Sequence, residues 1–230
     1  MVIIIWLILL VTVMSWIVVS DLHRAKTLFI KNANLHYQQS SDRVHIIESI
    51  LEGFAAMVSV THDLGRERIR SYAQKIIEQY PHIFMFEIVE KVSHNQMKSF
   101  TEYYRRNIYP DFEVKGFGYE ENRQWQLIKE VPYHMPIVFM EPFPEQSRKV
   151  LGLDLSSNGF FMRALQESEM LNHSVSSDPF KLVEGGLAYI ISRPIPASDK
   201  LVQPYSNNSG ADGEFAVLVI RADTLLDREH

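Results

Sequence analysis

The amino-acid sequence predicts an α+β fold, with an N-terminal rod of helix followed by a body of helices and short antiparallel strands. Three observations predict it. Val2 to Val19 is an uncharged run made mostly of Ile, Val, Leu and Trp. Apolar residues then recur at steps of three and four over 44–58 and over 66–77, the spacing of helices with one buried face. Further on, short alternating runs are bounded by Gly and Pro, and Gly185-Gly186 separates two of them in the manner of a hairpin. Helices and strands mixed without regular βαβ alternation give α+β.

In chain order, the Val2–Val19 run as a helix would span about 27 Å at ~1.5 Å per residue, close to the hydrocarbon thickness of a bilayer. Trp6 and Trp16 stand near its two ends, as interfacial anchors do, and neither a basic leader nor a small-residue cleavage site accompanies it. Residues 2–19 are therefore predicted to be a transmembrane helix. Arg24, Lys26 and Lys31 follow it, and by the positive-inside rule they alone would keep the body in the cytoplasm. Residues 20–65 are predicted to be a long stalk helix. Val44, Ile47, Leu51, Phe54 and Val58 form a heptad-like stripe, which suits either packing on the chain's own body or a parallel helix pair in a homodimer.

The body starts with a helix over Arg66–Gln79, ended by Pro81. A strand over Ile83–Val92 follows, with Glu87 and Glu90 placed to make local salt bridges. Ser93 is placed to cap a helix over His94–Asn107. Trp125–Val131 and Pro136–Pro142 are predicted to pair as strands across Pro132-Tyr133-His134. A Gly152-x-Asp154-x-Ser156 loop leads into a helix over Asn158–Leu171, whose Phe161, Leu165 and Ser168 share a face. Asn172 can take the left-handed conformation that ends such a helix. Pro179 forces a stiff corner at Ser176-Ser177-Asp178. A hairpin turns at Gly185-Gly186, Ala197–Gly213 reads as a loop, and Glu214–Arg221 is the last strand.

Composition narrows the function. The net charge is -5 and no basic stripe with interleaved aromatics is present, so nucleic acid is not an expected partner. With no cysteine in the chain, disulfides, thiolate catalysis and thiolate metal sites are excluded. The nine histidines are dispersed without metal-ligand spacing, and no phosphate loop, nucleophile elbow or H-E-x-x-H pair occurs. No catalytic residue, metal or cofactor is expected. A membrane-tethered hydrolase is the weakest class.

An ordered set of short motifs carries a resemblance. It consists of Tyr80-Pro81-His82-Ile83, Pro136-Ile137-Val138-Phe139, Val150-Leu151-Gly152-Leu153-Asp154, the helix with Arg163-Ala164-Leu165, Ser177-Asp178-Pro179-Phe180, and Leu187 through Pro194. Over roughly Glu48 to Pro196 this resembles the CHASE domain, the extracytoplasmic sensory module of bacterial histidine kinases and cyclases and of plant cytokinin receptors. Leu171-Asn172 stands where that family usually has Thr-Gly. The resemblance implies two PAS-like antiparallel sheets held on the long helix: a CHASE-like sensory domain over 66–222, with a distal part over 66–177 and a proximal part over 180–222. It implies a small-molecule ligand, a membrane partner, a homodimer through the stalk, and a periplasmic or extracellular body on an inner-membrane anchor. It also implies a longer receptor with a kinase or a cyclic-nucleotide cyclase or phosphodiesterase effector.

Candidate ligand-binding residues are Phe139, Glu141, Ser176, Ser177 and Asp154. Phe139 and Glu141 fall on one face of a strand, an apolar wall beside a lone carboxylate. In the cytokinin receptors a hydroxyl before Pro-Phe contacts ligand, and Ser177, or Ser176 one residue earlier, matches it; the receptors' ligand-binding acid matches at or next to Glu141. Alternatively, the serine hydroxyls satisfy turn backbone and Asp154 caps the following loop or helix. Arg163 could pair locally or face an anion. The competing class is a ligand-free dimerisation or protein-interaction module.

Overall fold

The structure is a computed structural model, and it describes residues 44–61, 65–120, 123–196 and 213–222. The expected transmembrane helix at 2–19 and most of the expected stalk lie outside these residues. Among the described residues no helix is long and apolar enough to cross a membrane. Two compact units divide the chain, Met1–Glu48 and Ser49–His230, and every described strand belongs to the second.

Helix α1 covers 44–60. Its predicted stripe is buried at Ile47, Leu51, Phe54 and Val58, whereas Val44 is exposed. Phe54 meets Phe86 edge-on at 4.8 Å and stacks on Tyr72 at 6.4 Å, so the Leu51–Val58 face packs on its own body. A side chain buried as fully as Phe54 stabilises by about 1.5–3 kcal/mol. Helix α2 (Arg66–Gln79) forms as predicted, burying Ile69 and Ala73 and ending at Tyr80 just before Pro81. Strand β1 (Ile83–Glu90) is buried on both faces, unlike the half-solvated strand its partial alternation suggests.

Strand β2 (Val92–Ser93) pairs with β5 (Tyr133–His134), and β3 (Gly116–Phe117) with β4 (Trp125–Gln126). These pairings correct the predicted ribbon of Trp125–Val131 on Pro136–Pro142. Only two residues of the first run are strand, and β6 (Ile137–Glu141) pairs with β1 instead. A strand as apolar as β6, whose one charge is the terminal Glu141, gains more between two covered faces than in a two-stranded ribbon. Ser93 is extended and begins a single 3-10 turn, His94–Gln96. Its hydroxyl lies on Asn95 Oδ1 at 2.6 Å and Gln96 Oε1 at 2.5 Å, not on a backbone N–H, and helix α3 starts only at Met97, running to Asn107.

Helix α4 (Gly159–Leu171) buries Phe161, Ala164, Leu165 and Ser168, and Asn172 ends it in the left-handed conformation (φ 52°, ψ 38°). Strands β7 (Val175–Ser176) and β8 (Phe180–Lys181) both pair with β9 (Leu187–Pro194), and β10 (Glu214–Arg221) completes the set. The Gly185-Gly186 hairpin has a larger loop than two residues. Lys181 faces Leu187, and Leu182–Gly186 makes the turn, with positive φ at both glycines (102° and 87°).

The main sheet runs β6-β1-β10-β9-β7, with β8 also on β9, and every pairing is antiparallel. This corrects the expectation of two sheets. Strands assigned to the distal part (β1, β6) and the proximal part (β10) are hydrogen-bonded neighbours in one sheet. Both halves supply apolar strands with two faces to bury, and one continuous sheet leaves fewer unpaired edges than two short ones.

Candidate functional site

The register of β1 sorts the sheet into two faces. Phe86 and Ile88 lie opposite Glu141 and Phe139, whereas Glu87 lies opposite Met140 on one side and Val217 on the other. Alternation therefore sends Phe86, Phe139 and Glu141 to the face packed by α1 and α2, and Glu87 to the opposite face, together with Met85 and Val219.

The five sequence-predicted residues do not come together. Phe139 is 1 % exposed, on the helix-covered face. Glu141 is buried beside it and already occupied: Arg70 Nε donates to its carboxylate at 3.0 Å and Gln74 Nε2 at 2.9 Å. Ser176 and Ser177 are on or next to β7, at the other edge of the sheet from β6. Four strand spacings of ~4.8 Å put the two groups about 19 Å apart. The Ser177 hydroxyl donates to Asp178 O at 2.9 Å and accepts from Ile190 N at 3.1 Å, so it satisfies the turn backbone; Ser176 is exposed. The exposed Arg163 reaches the equally exposed Asp178 at 3.5 Å.

Asp154 behaves as a cap and anchor. It is 1 % exposed, accepts from Ser156 N at 3.0 Å and Met135 N at 2.8 Å, and holds His134 Nδ1 at 2.7 Å. His134 Nε2 in turn meets His94 Nδ1 at 2.9 Å, so one fully buried imidazole ties β5 to the surface. Gly152 makes this loop possible. Its φ is +80°, and a Cβ there would stand 2.0 Å from Glu113 O, so the loop presses backbone to backbone.

The cavity lies on the face that holds Glu87. It has a volume of about 30 Å³, room for about one water. Met85, Glu87, Val219 and Ile190 form its floor, Tyr119, Phe161 and Phe180 its aromatic wall, and Leu182, Val183 and Glu184 of the hairpin loop its rim. The wall is one aromatic cluster: Phe161 and Phe180 are 4.7 Å apart edge-on, and Tyr119 meets them at 5.3 and 5.5 Å. Glu87 is 4 % exposed, and its carboxylate has no hydrogen-bonding partner among the described residues. Burial, then the charge of Glu184, pushes Glu87 up to about 8 from an ordinary 4.5. Burial likewise raises the Tyr119 hydroxyl. A second, wider pocket of about 460 Å³ adjoins through Val183 and Glu184, which line both, and adds Phe117, Trp125, Arg123, Gln146 and Lys149.

Sequence reasoning treated Glu87 as a strand-flanking acid. The signal lay in IFMFEIVE, where acids interrupt an otherwise apolar run that is too uniformly apolar for a half-exposed strand. The two acids divide by face: Glu90 accepts from the Tyr104 hydroxyl of α3, and Glu87 points into the cavity.

The chain belongs to the CHASE domain family, whose profile matches residues 62–230. That span reaches beyond the motifs of the sequence resemblance and takes in β10, an interior strand of the sheet. The module is thus an extracytoplasmic sensory domain. No curated protein matches the chain. Among solved structures it is similar to the extracellular domain of mmHK1S-Z2, named as a histidine kinase (13% identity, TM-score 0.43, 81% of this chain and 56% of that one). It is also similar to an extracellular ligand binding receptor from Desulfohalobium retbaense (15% identity, TM-score 0.37, 76% of this chain and 21% of that one). The chain thus spans about half of the first and a fifth of the second.

Proposed function

We propose that this chain is the ligand-sensing domain of a membrane-bound signal-transduction receptor, anchored through residues 2–19 and linked to a kinase or cyclase effector. A small molecule binds in the cavity between the Glu87 face of the sheet and the Tyr119-Phe161-Phe180 wall, in a single PAS-like module. The observation that carries this reading is Glu87, a carboxyl only 4 % exposed that lines a cavity and takes no hydrogen bond from the described residues. A fold gains nothing from such a group unless something else satisfies it. The ligand site first read from sequence, Phe139 with Glu141 and Ser177, gives way to this one because those groups are occupied and far apart.

Transmission follows from β1. Phe86 packs on Phe54 of α1 and Glu87 next to it faces the cavity, so occupancy of one face bears on the helix at the other. Only a ligand that binds two arrangements with different affinity shifts the balance, by about 1–3 kcal/mol in most such systems. The test is a small-molecule thermal-shift screen on the full chain in detergent micelles, repeated with Leu182→Trp, which fills the cavity. A hit abolished by Leu182→Trp supports the reading, and a hit that survives it rejects the site.

The small resting volume of the cavity favours a second reading, a ligand-free dimerisation or protein-interaction module joined through the stalk. In that case no compound shifts the melting temperature, and self-association persists in Leu182→Trp.

A further inference from the structure

The deep cavity and the wider pocket form two compartments separated by one loop, and this division constrains what can bind. Resting on the site proposed above, we infer that the ligand is a primary amine, whose ammonium head enters between Glu87 and Glu184 and whose flat apolar body lies outward against Trp125 and Phe117. Both carboxylates line the deep cavity, and Glu184 also lines the outer pocket. The inner volume of about 30 Å³ matches a head the size of a water or an ammonium and excludes a ring. The outer volume of about 460 Å³ holds a ring.

Charge selects the class. Glu184 is exposed and held by the Ser147 hydroxyl at 2.5 Å, and its charge acts on Glu87. A neutral ligand with a carbonyl could accept a hydrogen bond from the protonated Glu87, but it would leave the charge of Glu184 without a counter-charge. An ammonium satisfies both acids with its three donors, and Tyr119, Phe161 and Phe180 offer ring faces and edges around it. Tyr119 lines the deep cavity with Glu87 and Glu184, and the cations Arg123 and Lys149 line the outer pocket. Arg123 is drawn away, donating to Leu182 O at 2.6 Å and to Lys181 O at 3.3 Å. The remaining neighbours on β6 and β10 are apolar (Ile137, Met140, Val217, Val219). Entry requires the Leu182–Gly186 loop to move, and its two positive-φ glycines sit where it would bend.

The probe is benzylamine, with benzyl alcohol as the neutral isostere and benzoate as the anion, titrated by calorimetry into the full chain in micelles. Benzylamine binding ionises Glu87, so affinity should rise roughly 70-fold from about pH 6 to pH 8.5, with one proton released per amine bound at the lower pH. Glu87→Gln should abolish binding and Glu184→Gln should weaken it by about tenfold, while both variants keep the wild-type circular dichroism spectrum. If benzyl alcohol or benzoate binds as well as benzylamine and Glu87→Gln still abolishes it, the amine class falls and the site stands. If no amine binds at about 10 mM and pH 8.5, the inference is overturned. An infrared carboxylic-acid band at neutral pH that is lost in Glu87→Gln upholds the buried acid in that event; its absence removes the site as well.

Discussion

Replacing Glu87 by Gln isolates the cost of leaving a carboxyl in the cavity. In the unfolded chain Glu87 loses its proton near 4.5, and in the folded chain near 8. Between those values the folded state holds about one proton more, so stability falls as pH rises, by ~1.36 kcal/mol per unit. The contribution is fully present below about 4.5, is lost progressively up to about 8, and is constant beyond. From about pH 5 to pH 8 the wild type should therefore lose roughly 3–4 kcal/mol relative to Glu87→Gln, which has no proton to lose. For a body of this size that corresponds to a relative fall in melting temperature of about 10 °C. Every other titrating group is common to both proteins and cancels in the difference. The assay is thermal or urea unfolding of the full chain in micelles across that range, with the ligand screen kept separate. Two curves that stay parallel within about 1 kcal/mol would refute the argument, because Glu87 would then ionise as freely folded as unfolded.

The other predictions concern the scaffold. Gly152→Ala brings a Cβ onto Glu113 O at a positive φ and should cost more than about 2 kcal/mol, read by urea unfolding. Asp154→Ala strips His134 and two backbone N–H groups of their acceptor and should cost about 3–5 kcal/mol by the same assay. Asn172→Gly relieves a left-handed residue and should raise stability by a few tenths to about 1 kcal/mol, seen as a small rise in melting temperature. Phe54→Ala empties the α1–β1 contact and should cost about 3–5 kcal/mol; a loss below about 1 kcal/mol would mean that α1 does not pack as described.

Helices were legible wherever a stripe of three and four met a stop: α2 ends before Pro81 and α4 at Asn172, both as the residues dictate. Strand partners were not. The run at Trp125 has propensity for a strand, but Leu127 is 90% exposed, and only pairing with Gly116–Phe117 holds its first two residues extended. The single sheet was hidden for a similar reason. β1 and β10 are separated by more than a hundred residues, and apolar strands buried on both faces carry no alternation to say which neighbour they take. The candidate acids show the same limit. Glu141 stood beside Phe139 at the right alternation for a pocket, yet Arg70 and Gln74 close that face, and nothing local to 139–141 encodes a helix lying over it.

What the sequence does encode at Glu87 is a conflict. A carboxyl in the middle of a doubly buried strand opposes the burial that forms the strand, and local rules and the global fold disagree there more sharply than at Glu90, which the Tyr104 hydroxyl satisfies. Such conflicts concentrate at functional sites. The same strand carries Phe86 on its other face, in the packed layer with Phe54 and Tyr72. A close-packed layer does not deform gradually, so in the proposed sensor relief of the conflict at Glu87 would act on α1 by favouring one packing over another. On the reading proposed above, the acid that weakens the resting fold is the group that gives a ligand something to gain by binding, and a Leu at 87 should give a firmer domain that no longer responds.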